Sequence, residues 1–179
     1  MDELTAYRAA ERYIDELERE LGAVESRHGR LLTLPGLPRP AAWAANVWLD
    51  PRQITIASIS DAATQLRAIP RNWAVYAPRF YRRATLIQEQ LRKVSAKPLE
   101  FGTPPPATPL GSWTSLDAGT ILAAPHCTSP FPNGEVRFVE DRSGPPSRAY
   151  LKLWAALTLI GRHLRAAKNN PGIFALCGR

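Results

Sequence analysis

Two basic residues at helical spacing, Arg148 and Lys152, are the side chains of this sequence most clearly arranged to do chemistry. Residues four apart lie on the same flank of a helix, where two like charges repel each other. No acidic residue stands within one turn of either, so an external anion would be a fitting partner. A lysine whose pKa is depressed by burial and neighbours can also act as a general base. The alternative is a solvated basic flank on an ordinary amphipathic helix.

A helix with sharp boundaries must carry this pair. Residues 144–146, Gly-Pro-Pro, interrupt whatever precedes them, and prolines are tolerated in a first helical turn. Gly161 provides a stop signal at the other end. The spacing predicts a helix within 144–165 with one apolar face. That face consists of Tyr150, Leu153, Trp154, Leu157 and Ile160.

The charge of the chain is concentrated in one segment. Residues 62–99 contain eight basic residues and one acidic residue, while the rest of the chain is balanced, so the net charge of +7 resides here. Aromatic residues are interleaved with the arginines, which puts π faces beside phosphate-binding cations. Such a segment attracts a polyanion through counterion release. The candidate contact residues are Arg71, Trp73, Arg79, Arg82 and Arg83, together with Arg148.

A different interpretation assigns the aromatic residues of this segment to the core and its arginines to a solvated surface. Ala84, Leu86, Ile87 and Leu91 recur at helical steps and could supply the buried face of a helix without help from the aromatic residues. The residue pattern alone leaves both interpretations open.

The remaining elements favour a mixed α+β fold. The predicted elements are a helix over residues 4–21, strands within 24–34 and 43–57, and a helix over 61–69. Ser58 or Ser60 can cap the last of these helices. The order helix, strand, strand, helix favours α+β over a helical bundle.

A proline-rich stretch, residues 102–110, divides the chain, because it can neither continue a helix nor pair in a central strand. Within the next segment, Asn133-Gly134 is a favourable hairpin turn. The predicted organisation is an N-terminal α+β domain at 1–101, the linker at 102–110, a small β segment at 111–143, the helix at 144–165 and an atypical tail at 166–179.

Composition excludes several other classes of protein. The sequence has no long apolar run and no charged-then-apolar leader, so neither a membrane span nor a secretory signal is predicted, and the cytoplasm is the expected location. The two cysteines, Cys127 and Cys177, lack C-x-x-C spacing. Neither a disulfide framework nor a metal site is therefore predicted.

Residues 146–153, PSRAYLKL, resemble the SR-x-x-x-KL signature that opens the catalytic domain of FtsJ-like ribose 2′-O-methyltransferases. Residues 129–140 are similar to the segment ahead of that signature in the RlmM-type 23S rRNA enzymes. The resemblance implies that Lys152 is the first member of a Lys-Asp-Lys-Glu catalytic set, that S-adenosylmethionine is the cofactor and that 23S-like ribosomal RNA is the partner. It also implies a THUMP-like, ferredoxin-like RNA-binding region followed by the first helix of a Rossmann-like methyltransferase domain.

The resemblance ends abruptly after Arg162. Enzymes of this kind need a buried strand, a glycine-rich loop and the other catalytic residues after the helix, whereas residues 162–179 contain only one short apolar run. The sequence therefore predicts a C-terminally truncated, RNA-binding portion of such an enzyme that is inactive alone. One alternative is an α+β protein with no nucleic-acid role. Another is half of a split methyltransferase, docking its missing half on an exposed face around Trp154 and Leu157.

Overall fold

The computed structural model describes residues 3–94, 97–107, 110–140 and 148–160. Within these ranges the strands are β1 (Leu4–Ala9), β2 (Ser26–His28), β3 (Leu31–Pro35), β4 (Ala44–Leu49), β5 (Arg52–Thr55), β6 (Asn72–Val75), β7 (Leu110–Ser115), β8 (Thr120–Ala124) and β9 (His126–Cys127). The helices are α1 (Ile14–Leu21), α2 (Ile59–Ala68), α3 (Tyr81–Glu89) and α4 (Tyr150–Ile160). The predicted α+β class is confirmed.

The strands form two sheets. The first has the order β2-β3-β1-β4-β9 and is antiparallel throughout. The second has the order β5-β8-β7-β6, and its β6–β7 pair is parallel while its other pairs are antiparallel. Because β4 and β5 follow each other in the chain but belong to different sheets, the turn at Asp50 passes the chain from one sheet to the other.

The chain divides into two compact units, Met1–Ser95 with Ala107–Glu135, and Ala96–Pro106 with Val136–Arg179. This division differs from the predicted boundaries, since β7 and β8 of the predicted segment 111–143 pair with β6 and β5 of the N-terminal region. Pairing between strands far apart in sequence leaves no local signal, so the proline-rich stretch alone suggested a boundary. The predicted start of the last helix, at 144–147, and the tail at 166–179 lie outside the described residues.

The first unit has four layers. Leu17 and Leu21 of α1 pack on one face of the first sheet against Tyr7 and neighbouring residues. The other face, with Trp48, packs against the second sheet through Leu122 and its neighbours. Helices α2 and α3 cover the outer face of the second sheet in the largest core cluster. The two helical layers are therefore the outermost layers, and the central strands β1 and β7 are buried on both faces.

The predicted helix over residues 4–21 is wrong in its first half, where β1 runs through the centre of the first sheet. Thr5, Ala6, Tyr7, Arg8 and Ala9 are all buried, because α1 covers one face of the strand and the second sheet covers the other. A strand buried on both faces shows no alternation between apolar and polar residues, so a period of 3.6 could be read into it. The second half of the prediction corresponds to α1.

Two local predictions meet different outcomes. Ser58 caps α2, accepting a hydrogen bond from Asp61 N at 3.0 Å, as expected of a serine before an apolar helix. The hairpin predicted at Asn133-Gly134 is wrong: residues Pro132–Gly134 form a single 3₁₀ turn. Both Asn133 and Gly134 have the positive φ that such a hairpin requires, but the flanking residues do not pair.

A buried arginine joins the two ends of the first unit. Arg8 Nη2 donates to Glu135 Oε1 at 2.7 Å, Arg8 also donates to the Asn133 carbonyl oxygen, and Arg30 Nη2 reaches the same carboxylate at 3.0 Å. Burial alone would raise the pKa of the Glu135 carboxyl, but the hydrogen bonds and charges of Arg8 and Arg30 outweigh it and lower that pKa below its ordinary value.

Replacing Glu135 with Gln is expected to destabilise the protein by about 2 kcal/mol, because Arg8 loses its counter-ion; half-exposure of Glu135 keeps the loss below that of a fully buried pair. Thermal melting should show a decrease of about 4–8 °C at neutral pH. Since the folded-state pKa lies below the unfolded one, this stabilisation is present above the ordinary carboxyl pKa and is lost as the pH falls through the folded-state value. The difference between the two proteins should therefore shrink in acid. Glu18→Gln, which removes an exposed pair with Arg27, should have little effect.

The second unit contains a small aromatic cluster. Leu99 forms an isolated bridge with Phe138, and the Trp154 ring of α4 stacks on Phe101 with centroids 4.6 Å apart. Phe138 and Tyr150 meet Trp154 edge-on, at 5.6 and 4.5 Å. Packing against these rings fixes the face that α4 turns towards its own unit.

Candidate nucleic-acid interface

The most exposed basic and aromatic side chains of the basic segment lie together where β6 leads into α3. Arg79, Phe80, Tyr81 and Arg82 are consecutive and all exposed, with Tyr81 74% and Phe80 43% accessible. The flanking elements fix this position, because β6 buries Trp73 and Ala74 and α3 buries Ala84 and Ile87. Of the nine residues between those buried anchors, residues 78–82 are exposed. We call residues 79–82 the RFYR segment.

The β2–β3 turn supports the loop ahead of the RFYR segment. The Tyr76 hydroxyl accepts a hydrogen bond from Arg30 N at 2.7 Å. Gly29 has a φ of +63°, and a Cβ there would lie 2.7 Å from both Pro78 Cβ and the Tyr76 hydroxyl. Only glycine fits this close approach without displacing the loop. His28 of β2 is also affected by the segment. Burial and the nearby positive charge of Arg79 lower its pKa.

The start of α3 is arranged against the usual preferences of a helix. Phe80, at the N-cap, has φ 52° and ψ 33°, a left-handed conformation that costs a bulky residue about 1–2 kcal/mol, and no side chain caps the first turn. Arg82 and Arg83 stand in that first turn with no acidic residue, where the helix dipole favours anions over cations. An anion bound here would offset both the dipole and the crowded positive charge.

Ion pairs are frequent outside the basic segment, although Arg12, Arg39, Arg137 and Lys152 also have no carboxylate within 4.0 Å among the described residues. Arg8, Arg30, Arg27, Arg19, Arg52 and Arg148 each lie within 4.0 Å of a carboxylate. Among the residues that the structure describes, none of the eight basic residues between 62 and 99 has such a neighbour. Within the described part of the chain, no carboxylate therefore neutralises their charge.

The predicted contact residues do not all belong to this surface. Arg71 precedes β6 and Arg79 follows it, so they lie at opposite ends of the strand. Arg71 is half-buried, with Nε donating to Pro125 O and Nη1 to Pro70 O, both at 3.1 Å, which is a structural role. Arg83 is half-buried, and its Nε has no hydrogen-bond partner in the described part of the chain. Arg79 and Arg82 are the freely accessible members of the predicted set.

Trp73 does not offer a ring to a ligand, and the structure corrects that prediction. It is only 2% exposed, and its Nε1 donates to the Leu66 carbonyl oxygen at 2.8 Å. Its ring packs between the second sheet and the two helices that cover it, because its position in β6 points it towards that layer. The competing interpretation, in which this tryptophan is core, is therefore correct.

Phe80 and Tyr81 are the aromatic residues that sequence reasoning undervalued. Both belong to the aromatic residues that are interleaved with arginines, but the predicted contact set contains Trp73 instead. A local signal distinguishes them: Trp73 sits in a strand-like run next to Ala74 and Val75, whereas Phe80 and Tyr81 follow Pro78 and are enclosed by arginines. Aromatic rings between consecutive charges rarely enter a core.

Arg148 lies just before α4, and Lys152 lies within it. Arg148 is exposed and pairs with the Glu140 carboxylate, eight residues earlier, so it has an internal counter-ion that helical spacing alone did not reveal. Lys152 is exposed, and no carboxylate of the described residues lies within 4.0 Å of its amine. Among the described residues, no carboxylate lies close to both Arg148 and Lys152.

The apolar face of α4 is also corrected. Trp154 is not an exposed docking residue, because it stacks within the aromatic cluster of its own unit, and Leu157 is half-buried. The apolar side chains of α4 that are exposed are Leu153, Leu159 and Ile160. A helix packed on one side by aromatic rings turns different residues outward from those that a regular stripe predicts.

The described residues do not fit S-adenosylmethionine. Its binding in the implied fold requires a glycine-rich loop between a buried strand and the start of a helix. The described glycines with positive φ are Gly22, Gly29, Gly36, Gly102 and Gly134. In the described part of the chain none of them joins a strand to the first turn of a helix. The predicted position of that loop, after Gly161, lies outside the described residues.

The described part of the chain contains neither a metal-binding cluster nor a membrane-spanning helix. No three His, Cys, Asp or Glu side chains there converge closely enough to hold a metal ion. Every helix within the described ranges is too short or too polar to cross a lipid bilayer.

The Cys127 thiol is largely buried, donating to Ser112 Oγ at 3.3 Å, and its burial raises its pKa.

Comparison of the sequence with known protein families gives no matching family model, and no curated protein is significantly similar to it.

Proposed function

We propose that this chain binds RNA through the surface formed by the RFYR segment and the other exposed basic residues between 62 and 99. The observation that carries the proposal is the concentration of unpaired charge: none of the eight basic residues between 62 and 99 has a carboxylate neighbour among the described residues, whereas six of the ten described basic residues elsewhere do. Unneutralised arginines on one segment bind phosphates and release their counterions.

The distribution of charge supports a polyanion over a compact acidic ligand. Basic residues flank α3 at both ends, with Arg79 and Arg82 at its start and Arg92 and Lys93 beyond its end. Nine helical residues span about 14 Å, so the two groups match phosphates several nucleotides apart. Helix α1, in the opposite outer layer, carries four carboxylates and one arginine, which orients a polyanion towards the α3 side.

We further propose that the chain is the RNA-recognition portion of a protein related to the RlmM-type 23S rRNA ribose 2′-O-methyltransferases. The support is the resemblance of residues 129–153 and the independent concentration of positive charge ahead of it. The α+β fold of the first unit is compatible with a THUMP-like role. Ribosomal RNA as a partner would also place the protein in the cytoplasm.

Methyl transfer is not expected of this chain alone. Deprotonating a ribose hydroxyl requires a lysine whose amine is held near other charged groups, and the described residues put no carboxylate beside Lys152. In the proposed family Lys152 would act only together with further aspartate, lysine and glutamate side chains.

Calorimetric titrations of the purified chain test this proposal. With an RNA fragment in the calorimeter cell at about 50 mM salt, we expect a dissociation constant in the micromolar range or lower, which is typical of electrostatic association at low salt. With S-adenosylmethionine we expect no heat of binding. Absence of RNA binding would refute the proposed function, and binding of the cofactor would refute the expected inactivity.

A further inference from the structure

We infer that the RFYR segment recognises single-stranded RNA and discriminates against the double helix. This inference rests on the proposed function and names its substrate class. It derives from the exposed rings of Phe80 and Tyr81, which the phosphate-binding role of the arginines leaves unused.

Among the described residues, neither ring belongs to a core cluster. Trp73, Trp113 and Tyr7 of the same unit are all buried, so other aromatic side chains fill the core of this unit. Tyr81 is 74% exposed at the first position of α3, and Phe80 is 43% exposed although its backbone is held in the left-handed region. Large apolar rings between two exposed arginines are suited to a ligand that offers both flat apolar faces and negative charge.

Unpaired nucleotides offer that combination, and a duplex does not. In an A-form helix the base faces are stacked on each other, so a protein meets mainly phosphates and ribose hydroxyls. In a single strand each base has free π faces on which an aromatic ring can stack, whatever the base. Adjacent residues of a helix do not face each other, so Phe80 and Tyr81 would stack on separate bases. Arg79 and Arg82 are then positioned for the phosphates on either side.

Fluorescence anisotropy with two probes tests this inference. One probe is an unstructured single strand of about 12 nucleotides, within the usual size range of such sites, and the other is a blunt RNA duplex of the same length. Both are titrated with the full chain at the same salt concentration. We expect the single strand to bind about tenfold more tightly than the duplex, the contribution expected of one or two stacked bases.

Two variants remove the rings with little risk to the fold. Tyr81→Ala changes a mostly exposed side chain, and Phe80→Asn introduces a residue that tolerates the left-handed conformation better than phenylalanine does. Each is expected to weaken binding of the single strand about 5- to 20-fold while leaving duplex binding within about twofold. Tyr13→Ala is the matched control, because Tyr13 is also an exposed aromatic residue but stacks on Trp43 beside α1.

Each outcome is decisive. Equal binding of the two probes, or variants that leave single-strand binding unchanged, would overturn the single-strand inference and leave general RNA binding intact. Failure of both probes to bind would overturn the proposed function together with this inference. An equal loss with Tyr13→Ala would show that the rings act through the fold, which would also overturn it.

Discussion

Changing Arg79 and Arg82 together to glutamate is expected to reduce RNA affinity by about 10- to 100-fold at moderate salt, since two phosphate contacts are lost and two repulsive charges are gained. Both side chains are exposed and have no carboxylate neighbour among the described residues, so the fold should tolerate the change. Fluorescence anisotropy with a labelled RNA strand measures the loss. Thermal melting of the variant should stay within a few degrees of the unaltered protein, as surface substitutions usually do.

The matched control is the double variant Arg19→Glu with Arg52→Glu, which changes the net charge equally. Arg19 lies on α1 near Glu16, and Arg52 lies on β5 beside Asp50, at the edge of the second sheet opposite β6. If charge acts through a defined surface, this control should weaken binding much less than the test variant. Equal losses in the two double variants would mean that RNA responds to net charge alone, and the proposed surface would be wrong.

Changing Trp73 to alanine is expected to destabilise the protein by about 3–5 kcal/mol, the usual loss when a large buried aromatic side chain is removed from a core. The change leaves a cavity between the second sheet and helices α2 and α3, and it removes the hydrogen bond to the Leu66 carbonyl oxygen. Thermal melting should show a decrease of roughly 10 °C or more. Tyr81→Ala is the comparison, and its exposed ring should contribute less than about 0.5 kcal/mol to stability.

For RNA affinity the order of the two effects should reverse. A substitution at Tyr81 should weaken binding more than a substitution at Trp73 does. Trp73→Leu retains apolar volume without an aromatic ring, and well below its melting temperature it should bind RNA within about twofold of the unaltered chain, because the ring is 2% exposed. Tyr81→Ala should remain folded and lose affinity. A tenfold loss of RNA affinity in folded Trp73→Leu would contradict the assignment of this ring to the core.

The fold class could be predicted from the sequence because some elements have clear local sequence signals. Helix α2 has a serine cap, an acidic first turn and a regular buried stripe, and the structure agrees with each. Strand β1 had no such signal, since its residues are buried on both faces and the buried Arg8 reads as a surface residue. The partner of Arg8 is Glu135, more than a hundred residues later, and no local pattern can reveal that pairing.

The candidate site divides in the same way. The concentration of charge between 62 and 99 is a property of the sequence; the structure places Arg79 and Arg82 at the surface, and their contact with RNA stays a prediction. Burial depends on packing, so the strand-like run around Trp73 and the arginines around Tyr81 are local signals of which ring is buried, and the structure decides the question. The sequence could not predict that Arg71 would be tied to the Pro125 carbonyl oxygen or that Arg148 would meet Glu140. Those contacts depend on which segments pack together within each unit.

The measurement that tests the central claim most directly is the salt dependence of RNA binding by the unaltered chain. Affinity for a labelled single strand is measured over a range of salt concentrations from about 50 to 200 mM. If about four of the unpaired basic residues contact phosphates, the logarithm of the binding constant should fall with the logarithm of salt concentration with a slope of about −3. A slope near zero, or no binding at the lowest salt concentration, would contradict the claim that this surface binds RNA.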